Sequence, residues 1–211
     1  FKFSIKVPNS LTLTHYYQKK KSDPFISNEH FLSPDLYEQF LYSIDSIKHN
    51  IGVLMFQFEY LNKEKMKSQF EFQKLFSEFA QYINRDQIIS IETRNPNYLN
   101  KNYFDFLYNN SLSHVFLNGY FMPPVYNVYE KNYDKFRSPV VIRLHGTDRQ
   151  GIEKITNNNW DKIIFPMDEE LKRIAEMIND ILSRNIDVYL NVNNHYEGSA
   201  PLTIKKIKEM I

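Results

Sequence analysis

A carboxylate and an arginine stand two residues apart near the end of the β-like run IISIETR. Because side chains alternate along a strand, Glu92 and Arg94 share one of its faces. Glu92 is a candidate general acid or base. Arg94 is suited to hold an anionic substrate group through two parallel hydrogen bonds. The alternative is a structural ion pair between the two side chains.

Two further β-like runs end in residues that can bind anions or transfer protons. Arg143 and His145 share one face of PVVIRLH, where the arginine would bind negative charge and the histidine would move a proton. Packing or a surface position is the alternative for His145. Lys6, in FKFSIKV, would be a Schiff-base nucleophile if desolvation removed its proton. Otherwise it is an electrostatic partner for Glu92 or for an anion.

Amide side chains accompany a second histidine at the end of the last β-like run, DVYLNVN. Asn191 and Asn193 lie on one face of that run, and Asn194 and His195 follow it directly. These residues are candidates for recognising substrate hydroxyls or phosphate, and Gln57 in IGVLMFQFE is a further binding candidate. The alternative for the asparagines is that they make turn hydrogen bonds.

A metal site is a further hypothesis for these strand ends. Glu59, Glu92, His145 and His195 offer the carboxylate and imidazole groups that suit Mn, Zn or Mg. No HxxxH or DxD spacing supports such a site, so no metal ligand is assigned. No motif indicates a particular cofactor.

The elements that must position these residues follow a regular alternation. The β-like runs are 1–7, 51–59, 88–94, 114–118, 139–145 and 187–193. Helical spacing occupies 34–49, 69–83, 100–109, 167–184 and 201–211, and the longer irregular connections are 62–69 and 120–137. Strands alternating with helices at this pitch predict a parallel sheet. Ser33 before Pro34 is typical of a helix start.

The polarity of the strand faces distinguishes a barrel from an open sheet. Most of these runs have one apolar face, fit to pack against a helix, and a second face that becomes polar toward the C-terminal end. An open sheet covered by helices on both sides would bury Lys6, Glu92, Arg94 and Arg143, at several kcal/mol for each unpaired charge. The pattern therefore predicts an α/β fold of the (β/α)₈ TIM type, with a polar site at the C-terminal mouth of its strands.

Composition restricts the classes of function. The 211 residues carry a formal net charge of +1, which does not favour a protein that follows a phosphate backbone. The absence of cysteine excludes disulfides and thiolate chemistry, and it fits a reducing, cytoplasmic location. No run approaches the roughly 18 apolar residues of a membrane-spanning helix. No GxGxxG or GxxxxGK phosphate loop is present. The lysine run 19–21 is interpreted as a solvated loop.

Five segments carry a family resemblance, in matching order and spacing across nearly the whole chain. They are FKFSIKVP (1–8), GVLMFQF (52–58), IETRN (91–95), IRLHG (142–146) and NVNNHYEGSAP (191–201). Together they resemble the YecE-like family, whose members are called domain-of-unknown-function 72 proteins. The Arg-any-His-Gly and the Asn-Asn-His…Gly-any-Ala-Pro segments are the most specific.

The resemblance implies a TIM-type barrel. Family members carry further strands before the one that corresponds to the Lys6 strand, and these include a Gly-rich stretch. We therefore expect this chain to be a single barrel domain over 1–211 that is truncated at its N-terminus. It would hold about six of the eight strands. The family's fourth segment often ends in an acid, whereas this sequence reads LNGY at 117–120. Because the family's activity is not established, the resemblance implies a fold and a pocket but no reaction.

These observations lead to a working hypothesis. The protein would be an enzyme acting on a small, anionic, hydroxyl-bearing molecule such as a sugar phosphate. Glu92 and His145 would perform acid–base chemistry, with Lys6 near them, while arginine and amide side chains bind the substrate. The alternatives are a metal-dependent phosphodiesterase or nuclease and a non-catalytic binding module. A small-molecule ligand is the expected partner; neither a membrane nor nucleic acid is expected, and oligomeric state is not indicated.

Overall fold

The computed structural model describes residues 1–20, 22–84 and 86–211. Two compact units make up the chain, Phe1–Leu112 and Ser113–Ile211, and each contains three of the six strands that the described residues form. All six β-like runs are confirmed, with bounds that differ by two residues or fewer. The single barrel domain over 1–211 stays a prediction. In the lysine run, Lys19 and Lys20 are exposed and lie outside any helix or strand, whereas residue 21 is outside the described residues.

The first unit is a parallel three-stranded sheet with helices between its strands. The strands are β1 (Phe3–Lys6), β2 (Ile51–Gln57) and β3 (Ile89–Glu92), and they lie side by side in that order. The helices are α1 (Asn9–Thr12), α2 (Pro34–Ser43), α3 (Gln69–Ala80) and α4 (Lys101–Asn109), with 3-10 turns at Asp45–Asn50 and Pro96–Tyr98.

Polar side chains mark where the helices of this unit begin. The hydroxyl of Ser68 accepts a hydrogen bond from the Glu71 amide at the start of α3, and Ser33 caps α2 in the same way. The sequence-based end of α2 at residue 49 is wrong. The Ser43 hydroxyl donates to the Phe40 carbonyl, and Ile44 leaves the helical conformation, so a 3-10 turn follows instead.

One face of β2 receives the helices through an aromatic cluster. Phe56 packs edge-to-face on Phe76 at 5.5 Å between ring centroids, and Phe58 packs on Phe72 at 4.8 Å. These aromatic pairs add to the area that they bury. Since β2 alternates, Gln57 lies on the face away from this cluster, and it pairs in register with Glu92 of β3. The predicted division into an apolar helix-facing side and a polar side is therefore confirmed for β2.

The second unit repeats the arrangement. Its strands are β4 (Ser113–Gly119), β5 (Val140–Gly146) and β6 (Val188–Val192), paired in parallel in that order. Its helices are α5 (Val125–Lys131), α6 (Arg149–Thr156), α7 (Asp168–Ser183) and α8 (Ala200–Lys208), with a 3-10 turn at Tyr133–Lys135. Helix α7 buries a stripe that includes Leu171, Ile174 and Ile178.

Two helices of this unit, α5 and α6, are not predicted from the sequence. The connection 120–137 was expected to be irregular, yet it contains α5, which buries Val125, Val128 and Tyr129 at helical spacing after a proline. Helix α6 is short and ends where Asn157 adopts a left-handed conformation at φ 50°. In the part of the chain that the structure describes, no helix is long and apolar enough to cross a membrane.

Candidate functional site

The polar face of β5 carries Arg143 and His145, as the alternation predicts. Arg143 pairs in register with Asn191 of β6, and residues paired in register on parallel strands present their side chains to the same face. Arg143, His145 and Asn191 are all partly buried. The sequence-predicted arginine, histidine and first asparagine are therefore neighbours on one sheet face.

The Asn191 amide carries a polar atom that the fold leaves unsatisfied. Its Nδ2 is buried and has no hydrogen-bond partner among the described residues. A buried donor without an acceptor costs about 1–3 kcal/mol. The position therefore has a donor available for an oxygen atom that is not part of the chain.

His145 is in contact with a tyrosine that sequence reasoning missed. The Tyr120 hydroxyl lies 3.5 Å from Nε2 of His145, and the two rings are 4.9 Å apart at an angle of 36°. Tyr120 follows Gly119 at the end of β4 and adopts a positive φ of 54°. A positive φ is uncommon outside glycine, and such conformations are found at functional sites.

A cavity of about 400 Å³ opens at the C-terminal ends of β4 and β5. Of the sequence-predicted residues, only His195 lines it. At two glycines of the cavity wall, the neighbouring backbone leaves no room for a side chain. A side chain at Gly119 would meet the Gly146 carbonyl oxygen at 2.5 Å, and one at Gly146 would meet the His195 carbonyl oxygen at 2.2 Å. Both glycines have positive φ, which L-residues rarely adopt.

His195 belongs to a chain of charged and polar contacts. Its Nε2 lies 3.0 Å from Oε1 of Glu153, which also accepts a hydrogen bond of 2.7 Å from Nε of Arg149. That hydrogen bond from Arg149 holds the pKa of Glu153 below its usual range. The imidazole packs edge-to-face on Trp160, and its Nδ1 is buried without a hydrogen-bond partner within the described residues. Neither Glu153 nor Trp160 was a sequence-based candidate.

A second cluster of contacts in the cavity is centred on the Glu170 carboxylate. Its Oε2 accepts hydrogen bonds from the Tyr196 hydroxyl at 2.6 Å and from the Asn118 amide at 2.8 Å. Burial, together with the hydrogen bond to Glu170, raises the pKa of Tyr196. From sequence alone, Glu170 is simply one of the acids in the first turn of α7, suited to the helix dipole.

Asn193 and Asn194 make turn hydrogen bonds. The Asn193 carbonyl oxygen of the side chain accepts from the His195 amide at 3.0 Å, and that of Asn194 accepts from the Ala200 amide at 2.8 Å. These contacts fit the structural alternative for both asparagines, and a role in substrate binding stays a prediction. Glu197 also fastens this segment, because its buried carboxylate accepts from the Met167 amide and from Lys206.

In the first unit, Glu92 and Arg94 lie close together. Glu92 is fully buried, and its Oε1 is 3.6 Å from Nε of the partly exposed Arg94 side chain. Lys6 is exposed and its ammonium donates to Oδ1 of Asn9 at 2.5 Å, so the desolvation that a Schiff-base lysine needs is missing there. The roles of Glu92, Lys6, Arg94 and Gln57 stay predictions.

The described residues contain no group of side chains that supports the metal hypothesis. Over residues 1–20, 22–84 and 86–211, no three histidines or acidic residues are grouped so that they could hold a metal ion. Glu59, which the sequence offers as a metal ligand, forms an ion pair with Lys65. The Glu59 carboxylate is therefore engaged with a lysine.

Comparison with known proteins identifies the family. A family model described as "Protein of unknown function DUF72" matches residues 1–211. The chain belongs to the DUF72 family. The resemblance inferred from its five segments is thereby confirmed. A search of curated proteins finds no match.

Two solved structures of DUF72 family proteins resemble this DUF72 chain. One, from Thermotoga maritima, is 20% identical, with a TM-score of 0.65 over 100% of this chain and 73% of that one. The other, from Enterococcus faecalis, is 17% identical, with a TM-score of 0.67 over 100% and 74%. At this identity the likeness supports the fold. The predicted class is confirmed as α/β and TIM-like, with six strands among the described residues of this DUF72 chain.

Proposed function

We propose that this DUF72 protein is an enzyme that binds a small, anionic, hydroxyl-bearing molecule, of the sugar-phosphate type, on the polar face of β5 and β6. Arg143 binds the anionic group, because a guanidinium matches carboxylate and phosphate oxygens with two parallel hydrogen bonds. Asn191 donates to a substrate oxygen. His145 transfers a proton to or from the bound molecule.

The observation that carries this proposal is the buried, unpartnered Nδ2 of Asn191 beside Arg143. A hydroxyl or phosphate oxygen is the acceptor that this nitrogen lacks, and Arg143, which pairs in register with Asn191, favours an acceptor with negative charge. Binding of such an oxygen would remove the desolvation cost that the apo protein bears. The preference for an anionic ligand follows from the arginine, and the preference for hydroxyl groups follows from the amide.

His145 is suited to the proton transfer by its position. It lies two residues after Arg143 on the same face, so a ligand held by the arginine is within reach of the imidazole. Tyr120, whose hydroxyl lies 3.5 Å from Nε2, restricts how the ring can turn. We assign Tyr120 the role of positioning His145. Glu92, Lys6 and Arg94 of the first unit are not needed for this proposal.

The experiment is a binding screen by thermal shift and calorimetry. Hexose phosphates, pentose phosphates and hydroxy acids are each compared with the corresponding neutral compound. We expect wild type to bind at least one anionic compound more tightly than its neutral counterpart. Arg143→Gln and Asn191→Leu should weaken that binding by about tenfold or more, which corresponds to 1.4 kcal/mol. Turnover of the bound compound then separates an enzyme from a binding module.

Matched controls come from exposed positions on α7. Arg173→Gln and Asn179→Leu make the same chemical changes away from β5 and β6, and they should leave binding unchanged. Absence of binding across the panel, or equal loss in the control variants, would contradict the proposal. Binding with no turnover would restrict the protein to ligand binding. We also propose a cytoplasmic location, with which the cysteine-free sequence is compatible, to be checked by cell fractionation.

A further inference from the structure

The cavity at the ends of β4 and β5 is lined by acidic side chains, whereas the polar face of β5 carries the positively charged Arg143. Glu170 and Asp148 are its acidic lining residues, and His195 is the one basic residue among the lining residues that the structure describes. His195 is already engaged with Glu153. The cavity is therefore poorly suited to an anion and suited to a cation.

Two hydrogen bonds to the same oxygen hold the Glu170 carboxylate in one orientation. Both of its hydrogen bonds, from Tyr196 and Asn118, go to Oε2. Within the described parts of the chain, Oε1 accepts no hydrogen bond and the carboxylate has no ion-pair partner. The two donors are neutral groups, so the negative charge is oriented without being neutralised. A partly buried carboxylate in that state is stabilised by an incoming cation that donates a hydrogen bond.

Much of the remaining lining is apolar and partly aromatic, with Thr147 and the Tyr120 hydroxyl as polar members. Ile152, Met167 and Pro124 contribute aliphatic surface, and Phe165 lies at the cavity with 46% of its surface exposed. A volume of about 400 Å³ is at the lower end of the range for small-molecule sites. The lining matches a compact apolar body with a single charged end.

We propose that this cavity is a binding site for a small organic amine, whose ammonium group donates to Oε1 of Glu170 while its apolar body packs against Phe165 and Ile152. Tyr196 and Asn118 are positioning residues that hold the carboxylate. His195, with its buried and unpartnered Nδ1, is an acceptor for a second donor on the same molecule. The site stands independently of the proposed function, because it uses different residues and selects the opposite charge.

The test uses three probes of nearly equal shape: benzylamine, benzyl alcohol and benzoate. Binding to the intact chain is followed by chemical-shift perturbation of backbone amides. We expect benzylamine to shift the amides of Glu170, Tyr196 and Gly146, and benzyl alcohol and benzoate to shift them far less. Binding of benzylamine should weaken as salt is added, because the interaction is between charges.

The variant for this test is Glu170→Gln, which keeps an oxygen for Tyr196 and Asn118 but removes the charge. We expect it to weaken benzylamine binding by about tenfold or more, because the ammonium group loses its charged partner. A tenfold change corresponds to about 1.4 kcal/mol of binding free energy. Glu176→Gln makes the same change at an exposed position of the same helix and should have no effect. The probe series on wild type remains informative even if Glu170→Gln does not fold.

Three results would overturn the proposal. Benzylamine could fail to shift the cavity amides, benzoate could bind as well as benzylamine, or Glu170→Gln could bind benzylamine as tightly as wild type does. None of these results bears on Arg143 or Asn191. A failed anion screen likewise leaves the amine site intact, so the two proposals fail separately.

Discussion

Oε1 of Glu153 lies 3.0 Å from Nε2 of His195, and the same oxygen accepts a hydrogen bond from Arg149. A carboxylate in contact with one ring nitrogen selects the tautomer that carries its proton on that nitrogen. The other nitrogen, Nδ1, is then the one with a lone pair. The arrangement resembles the way an acidic residue orients a histidine in catalytic and metal sites.

The first prediction concerns this tautomer. We expect long-range ¹H–¹⁵N spectra at neutral pH to show His195 protonated at Nε2 and unprotonated at Nδ1. Glu153→Leu should produce a mixture of tautomers, because the contact that favours one of them is lost. Lys154→Gln, an exposed change in the same helix, should leave the spectrum unchanged. An Nδ1-protonated ring in wild type would show that Glu153 does not orient His195.

The second prediction concerns acid stability. Because the Arg149 hydrogen bond lowers the folded-state pKa of Glu153, this carboxylate stabilises the fold above its unfolded pKa of about 4.3 and loses that contribution as the pH falls through the lowered value. We expect Arg149→Gln to lower the melting temperature slightly at neutral pH, with the difference from wild type narrowing below about pH 4. A difference that is constant with pH would refute this explanation.

The third prediction concerns Glu197, which is fully buried. Its carboxylate accepts hydrogen bonds from the Met167 amide, from Thr203 and from Lys206. We expect Lys206→Met to reduce the free energy of unfolding by about 3 kcal/mol, because it leaves a buried carboxylate without its cation. Urea denaturation measures this change.

The control for Lys206→Met is the same change at the neighbouring exposed lysine, Lys205. Lys205→Met should change the free energy of unfolding by less than about 0.5 kcal/mol. The double variant Glu197→Gln, Lys206→Met should lose less than the sum of the two single changes, since each removes the same ion pair. Full additivity would mean that the buried pair is not coupled.

The fourth prediction concerns Gly146. Alanine there would adopt an unfavourable φ of +81° and bring its Cβ to 2.2 Å from the His195 carbonyl oxygen. We expect Gly146→Ala to destabilise the protein by about 2 kcal/mol or more and to displace the His195 amide signal. At Gly151, in contrast, the obstructing atom is the Asp148 carboxylate, which can rotate away. Gly151→Ala should therefore be tolerated better.

The fold followed from sequence patterns because those patterns are local. Alternation in β2 and β5 predicted which side chains face the helices, and the helical spacing at 69–83 predicted α3. The register that puts Asn191 beside Arg143 is a contact between two strands, and no local pattern in the sequence predicts it. The short α6 was missed because its eight residues offer too few periods of the apolar repeat.

The cavity could not be predicted in this way, because its contacts join residues far apart in sequence. Asn118 and Glu170 are separated by 52 residues, and Glu153 and His195 by 42. Each pairing depends on where α6 and α7 lie against the sheet, and no local pattern specifies that position. Tyr120 was missed for a different reason, since it opens the connection 120–137, which the sequence predicts to be irregular.

The close backbone contacts at Gly119 and Gly146 have a consequence for redesign. The last residues of β4 and β5, Gly119 and Gly146, and the backbone of His195 after β6 lie so close that a Cβ atom on either glycine would clash. At these two positions the cavity wall is therefore formed by backbone and does not depend on side-chain rotamers. We expect exchange of Phe165 or Met167 to change what the cavity accepts, while the backbone at Gly119, Gly146 and His195 keeps its place. The site is thus a starting point for engineering new ligand specificities without rebuilding the loops.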